Sequence, residues 1–211
     1  MFSTLSDTLQ VCGTPASGKT ILARLLAQHI RRQEPAVHII SIFGWPLEEV
    51  KETGGWQAYL QHEKGWVQGQ KTVLVFDEAQ LSYEDFTLWM GLFKDIRSYD
   101  NLFAIAFASY GSPTSRLSTQ DTPFFVNDSQ RITLRAIDHG DGLGAVGLLF
   151  SRKEFDDLVC KQFSSSEDYF HLLFFDAIFN LTGGHVGAIH DFVNIIKVHN
   201  VRFFMMSEHI T

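Results

Sequence analysis

The chain has 211 residues, 45% hydrophobic, 19% charged and 13% aromatic, with a formal net charge of −7; this is the composition of an ordinary globular protein and excludes a disordered one. Its two cysteines, Cys12 and Cys160, have neither CxxC nor zinc-ligand spacing, which excludes a disulfide framework and fits a reducing compartment. With 24 acidic residues against 17 basic ones there is no footprint of a dedicated nucleic-acid binder, and no window reaches the roughly 18 apolar residues of a membrane span.

In chain order, residues 8–12 (TLQVC) read as a first strand, followed by a glycine turn and a helix over 19–31 with an apolar stripe of Ile21, Leu22, Leu25, Leu26 and Ile30. Residues 37–43 (VHIISIF) make the second strand. Trp45, Trp56 and Trp66 then read as the core of a helical insert rather than a base-stacking surface. The third strand is 72–76 (TVLVF); a helix over 83–99 is expected from Phe86, Trp89, Met90 and Phe93, opened by a capping box of Ser82 and Asp85. Residues 102–108 (LFAIAFA) and 131–136 are the fourth and fifth strands. Continuous apolar runs suit strands buried on both faces, so the expectation is an α/β protein with a mostly parallel sheet covered by helices.

Past residue 136 the pattern changes. A glycine-rich loop (Gly140, Gly142, Gly144, Gly147) leads to helices starting near Arg152, Glu167 and Gly187, the first two with start signals at Ser151 with Glu154 and Ser165 with Asp168. The expected division is a core over 1–136 and a helical segment over 137–211. The apolar run at 201–206 (VRFFMM) abuts the end of the sequence, and the natural chain is expected to continue beyond it.

Gly13-Thr14-Pro15-Ala16-Ser17-Gly18-Lys19-Thr20 fits GxxxxGK[ST] between a strand and a helix, the context of a phosphate-binding P-loop, or Walker A motif. Its backbone N–H groups are expected to cradle phosphate oxygens, with Lys19 on the β and γ phosphates and Thr20 on Mg²⁺. The third strand ends in Asp77-Glu78, where a Walker B element belongs. Asp77 is expected to hold Mg²⁺ and Glu78 to polarise the attacking water. An acid at Glu78 favours hydrolysis over small-molecule phosphorylation, and no NKxD guanine motif occurs. Ser109 ends the fourth strand on the crevice side, placed for the γ-phosphate or the water. The expected nucleotide contacts are Gly13, Thr14, Pro15, Ala16, Ser17, Gly18, Lys19, Thr20 and Ile21, with Thr20 and Asp77 on the metal and Glu78, Lys19 and Ser109 in catalysis.

Other features have simpler readings. Arg116 fits a solvated loop arginine better than an arginine finger. The GxGxxG letters at 142–147 open no helix. His185 and His190 lack ligand spacing for zinc. The small residues at 183–188 permit close approach to a ligand, with helix packing as the plainer explanation. Cys12 reads as a small buried apolar residue.

The strings GTPASGKT, VLVFDEAQLSYEDFTLWMGLFK, FAIAFASYGSP and NLTGGHVGAIHDFV together resemble the P-loop NTPase domain of crinkler-type effector proteins of fungi and oomycetes, itself similar to AAA+ and STAND ATPases. The resemblance covers most of the chain. It implies a RecA-like or AAA-like core with strand order 5-1-4-3-2, binding of ATP or ADP with Mg²⁺, action inside a host cell or its nucleus, and an appended nuclease-like domain or a protein partner. Lys19, Thr20, Asp77 and Glu78 match the family's nucleotide motifs, Ser109 its sensor-like position, and residues 184–187 a Gly-His-Pro-Gly-like turn in which Val186 replaces the proline. The expected function is a Mg-dependent ATPase, cytoplasmic or nuclear, acting as a motor or switch, with oligomers allowed and neither nucleic acid nor membrane bound directly. The alternatives are a nucleotide-gated binding module with little turnover and a small-molecule kinase. The kinase is weakened because Arg152 is the one basic side chain in 137–152 outside His139.

Overall fold

Parallel pairing runs through the whole sheet of the computed structural model, which describes residues 7–109, 126–138, 140, 144–163 and 172–199. Strands β1 (Thr8–Cys12), β2 (His38–Phe43), β3 (Thr72–Asp77), β4 (Leu102–Ala108) and β5 (Arg131–Ile132) lie in the order β2-β3-β4-β1-β5. This is the expected order, and the protein is an α/β fold with helices following the sheet. The β3 strand is buried at every position, as a continuous apolar run at the middle of a covered sheet should be. At the sheet edge, β2 leaves Ser41 and Phe43 exposed. The β5 strand is shorter than the sequence pattern suggests, ending at Ile132, since only Arg131 and Ile132 pair with β1.

Helix α1 (Lys19–Gln33) corrects the expected stripe. Its buried residues are Lys19, Ala23, Ala27 and Ile30, while Ile21 and Leu25 are 57% and 56% exposed. Lys19 sets the phase: with its side chain turned inward, the positions 4, 8 and 11 residues on follow it onto the same face. Small alanines on that face let the helix approach β3 and β4 closely.

Against the other side of the sheet lie α2 (Leu47–Thr53), α3 (Trp56–His62) and the segment after β3. Trp45, Trp56 and Trp66 are 6%, 6% and 4% exposed and join Ile42, Leu74, Phe76, Leu92 and Phe93 in one core cluster. The single helix expected over 83–99 does not form. A 3-10 turn (Ala79–Ser82) is followed by one helical turn, α4 (Phe86–Leu88), a π-type turn (Trp89–Phe93) and a second 3-10 turn (Ile96–Ser98). Asp85, not Ser82, caps α4, accepting the Leu88 N–H at 3.0 Å. Ser82 instead donates to the Ala79 carbonyl and accepts from the Trp89 indole at 3.1 Å. The wide turn closes through the Lys94 N–H and the Trp89 carbonyl at 3.0 Å. Gly91 lies against the Trp56 ring so closely that a Cβ would sit 3.2 Å from its Nε1. Packing of two tryptophans has overridden helical periodicity here.

The chain divides into two compact units, one running to Gly147 and the other starting at Leu148. In the second, α5 (Arg152–Gln162), α6 (Leu172–Thr182) and α7 (Val186–His199) enclose Phe155, Phe175, Ile178, Ile189, Val193 and Ile196. Ser151 and Glu154 form the expected capping box, the Ser151 N–H donating to the Glu154 carboxylate at 2.7 Å. The start signal at Ser165 and Asp168, Arg116, residues 142 and 143 of the GxGxxG letters and the run at 201–206 lie outside the described residues.

Candidate functional site

The loop between β1 and α1 wraps around one ammonium group. Lys19, 6% exposed, donates to the carbonyls of Gly13 at 3.0 Å and Thr14 at 2.7 Å and to the Ser17 hydroxyl at 3.3 Å. A buried cation needs such partners, because desolvation otherwise drives it to shed its proton. Burial does lower the Lys19 pKa, and the carboxylates of Glu78 and Asp77 oppose that fall. The end of β3 therefore faces the loop electrostatically. Ala16 and Gly18 both take left-handed backbone, at φ +60° and +86°, and Ser17 closes a turn onto the Thr14 carbonyl at 3.3 Å. Alternation of left- and right-handed residues turns successive N–H groups toward one point, the geometry of an anion nest.

Lys19 gathers Gly13, Thr14 and Ser17 around it, with the side chains of Thr14, Pro15 and Ala16 exposed and Thr20 half-buried at the first turn of α1. Ile21 is different: its side chain is exposed on the helix surface, which leaves only its backbone to the loop. Asp77, 7% exposed, accepts the Glu78 N–H at 3.1 Å. Glu78 follows in left-handed conformation, φ +55°. A residue with a Cβ takes that conformation at a cost of about 1–2 kcal/mol.

Ser109 lines a cleft of about 670 Å³ together with Cys12, Gly13, Thr14 and residues 133–137. The cleft therefore begins at the P-loop and runs along the carboxyl ends of β4, β1 and β5, where open parallel sheets bind ligands. Its wall is held by Ile137 and Val146, which exchange backbone hydrogen bonds at 3.1 Å, and by Gly147, where a Cβ would meet the Ala136 nitrogen at 2.5 Å. Cys12 is half-buried, packing against the core on one side and lining this wall on the other. Burial pushes its thiol pKa up, with Arg131 and Lys19 acting the other way.

Two contributors escape sequence reasoning. One is the wall at 133–137, of which 133–136 was expected as strand and 137 as the start of the helical segment. The other is Gln80, whose amide donates to the Glu78 carboxylate and accepts the Ser109 N–H at 2.9 Å. Its sequence signal was its place directly after Asp77-Glu78-Ala79, which carries no role until the chain turns back on itself there.

In the helical unit, His185 caps α7 by accepting the Ala188 N–H at 3.2 Å, and His190 is exposed beside Asn194. Gly184, φ +82°, sits where a Cβ would lie 2.5 Å from the Phe150 carbonyl oxygen. That contact is a packing reason for the glycine within its own unit.

No protein-family model matches the chain, and no curated protein matches it. Among solved structures it is similar to C. elegans PCH-2, at 17% identity and a TM-score of 0.38, over 56% of this chain and 33% of that one. The chain thus spans about a third of that protein's length.

Proposed function

We propose that the unit ending at Gly147 binds a nucleoside triphosphate with Mg²⁺ and hydrolyses it, ATP being the expected substrate. The observation that carries this is Lys19, held buried at the centre of the loop while the carboxylates of Asp77 and Glu78 act on it. A glycine turn that merely opened a helix has no use for a buried cation facing two acids.

The donor set also fits Mg²⁺. Among the described residues no three His, Cys, Asp or Glu side chains converge on a metal position. Mg²⁺ needs no such cage, since it keeps most of its water and takes one or two carboxylates with phosphate oxygens. Thr20 and Asp77 are the residues that would hold it. When bound, it supplies positive charge against the phosphate oxygens.

The chain's own residues do the rest. The loop N–H groups and Lys19 bind and orient the phosphates, and the cleft beside Thr14, Leu134 and Ile137 takes the nucleoside. Glu78 accepts a proton from the attacking water as the water oxygen bonds to the γ-phosphorus; the β–γ bridging bond breaks, and its electron pair leaves with the diphosphate. Action as a motor or switch for an appended effector domain, as in crinkler-type proteins, rests on the motif string alone.

Phosphate release from MgATP by wild type and Glu78→Gln tests the reading. The amide keeps the side chain's shape without accepting the proton, so turnover falls about 10²- to 10⁴-fold with binding retained. Equal rates in the two proteins remove Glu78 from catalysis. Tight binding with no turnover in wild type makes the domain a nucleotide-gated module instead.

A further inference from the structure

Three hydrogen bonds link the phosphate loop to the proposed general base without passing through any ligand. The Gly13 N–H donates to the Ala108 carbonyl at 3.1 Å, tying the loop to the end of β4. One residue on, the Ser109 N–H donates to Gln80 Oε1 at 2.9 Å. Gln80 Nε2 in turn donates to Glu78 Oε2. The amide has one workable orientation here: a backbone N–H needs an acceptor and a carboxylate needs a donor, and a glutamine offers one of each. Glutamate in this position would face Glu78 with a second carboxylate, and asparagine is a methylene too short to span both partners.

We propose that Gln80 is a positioning residue for Glu78. Its amide holds the carboxylate to the end of β4, so the direction of the base follows the position of Ser109 and, through Ala108, of the phosphate loop. Two features of Glu78 give this tie its use. Its backbone is left-handed at φ +55°, a conformation that persists only where surroundings hold it. Its carboxylate has two oxygens, and Gln80 engages one of them, leaving the other to accept the proton of the water. The inference rests on the hydrolytic reading above and deepens it. Gln80 itself touches no reacting atom.

The test compares wild type with Gln80→Met, which keeps the length of the chain and removes both hydrogen bonds, and Gln80→Asn, which keeps the amide and shortens it. Steady-state ATP hydrolysis, nucleotide affinity by titration calorimetry and amide hydrogen exchange at Ser109 are measured on each. A misaimed general base costs turnover while substrate binding is untouched, so kcat is expected to fall about 10- to 100-fold, with KM and Kd within about twofold. Exchange at the Ser109 amide accelerates in both variants. Unchanged kcat in both variants beside an active wild type overturns the role of Gln80 and leaves the hydrolytic reading standing. A parallel loss of kcat and affinity, a rise in kcat, or failure of both variants to fold also overturns it, making Gln80 a strut or a brake. A wild type that binds nucleotide without hydrolysing it defeats the hydrolytic reading and this inference with it.

Discussion

The Trp45 indole donates a hydrogen bond to the Asp85 carboxylate at 2.9 Å across 40 residues of chain, with both side chains 6% exposed. Asp85 spends its other oxygen on Thr87 and on the Leu88 N–H, so this indole is what makes the remaining oxygen tolerable in the core. Trp45→Phe keeps the aromatic packing on Tyr59 and Phe76 and strips the donor. Chemical denaturation is expected to show a loss of about 2–3 kcal/mol, as for a buried hydrogen bond to a charged group. A loss under 0.5 kcal/mol would mean that the carboxylate finds another donor.

Lys19→Ala separates the fold from the site. Wild type at a hundredfold excess of MgATP over Kd is expected to gain about 2.7 kcal/mol of stability from ligand bound only to the native state. The variant should show no such gain in thermal denaturation, while Asp77→Asn should keep it in part and lose its dependence on added Mg²⁺. Absence of any shift in wild type at millimolar nucleoside triphosphate counts against nucleotide binding altogether.

The phase of α1 is open to a paired measurement. Leu25→Gln changes an exposed apolar side chain and is expected to stay within about 0.5 kcal/mol of wild type. Ala27→Leu forces three extra carbons between helix and sheet and should cost about 1–3 kcal/mol. The reverse ranking would place Leu25 on the buried face after all.

Tyr83 supplies a pH dependence. Burial pushes its hydroxyl up to about 12, against about 10 for an exposed tyrosine. Between those values the unfolded chain gives up a proton that the folded one keeps, so the native state is favoured fully below pH 10 and loses this contribution as pH rises toward 12. Denaturant titrations at pH 9, 10 and 11 are expected to show a fall in stability that is shallower in Tyr83→Phe. Parallel curves for the two proteins would show that Tyr83 ionises as freely in the fold as out of it.

Gly184→Ala tests the turn before α7. The added Cβ must take left-handed backbone and meets the Phe150 carbonyl oxygen at 2.5 Å, while the Phe150 N–H also donates to the Gly184 carbonyl at 2.9 Å. A destabilisation of about 2–4 kcal/mol is expected, from left-handed strain and overpacking together. Wild-type stability in the variant would refute the packing account and return attention to ligand contact at this turn.

The strand–loop–helix motif and the two acids ending β3 were legible from the chain alone, because each depends on local pattern: an apolar run, glycines where the backbone must curl, a lysine and a threonine directly after them; the order of the sheet came only with the family resemblance. The start of α5 was legible for the same reason, since a capping box is made by residues three apart. What only the tertiary structure decided involves partners distant in sequence. The buried face of α1 follows from where Lys19 points and not from where the leucines fall. Residues 83–99 break into turns because Trp56 fills the space beside Gly91 and Trp45 claims Asp85, neither of which any periodicity announces. Gln80 reaches Ser109 across 29 residues, and β5 pairs with β1 only at Arg131 and Ile132. Hydrogen bonds and packing between distant segments are set by three-dimensional closure, and a one-dimensional pattern records the residues that take part without recording whom they meet.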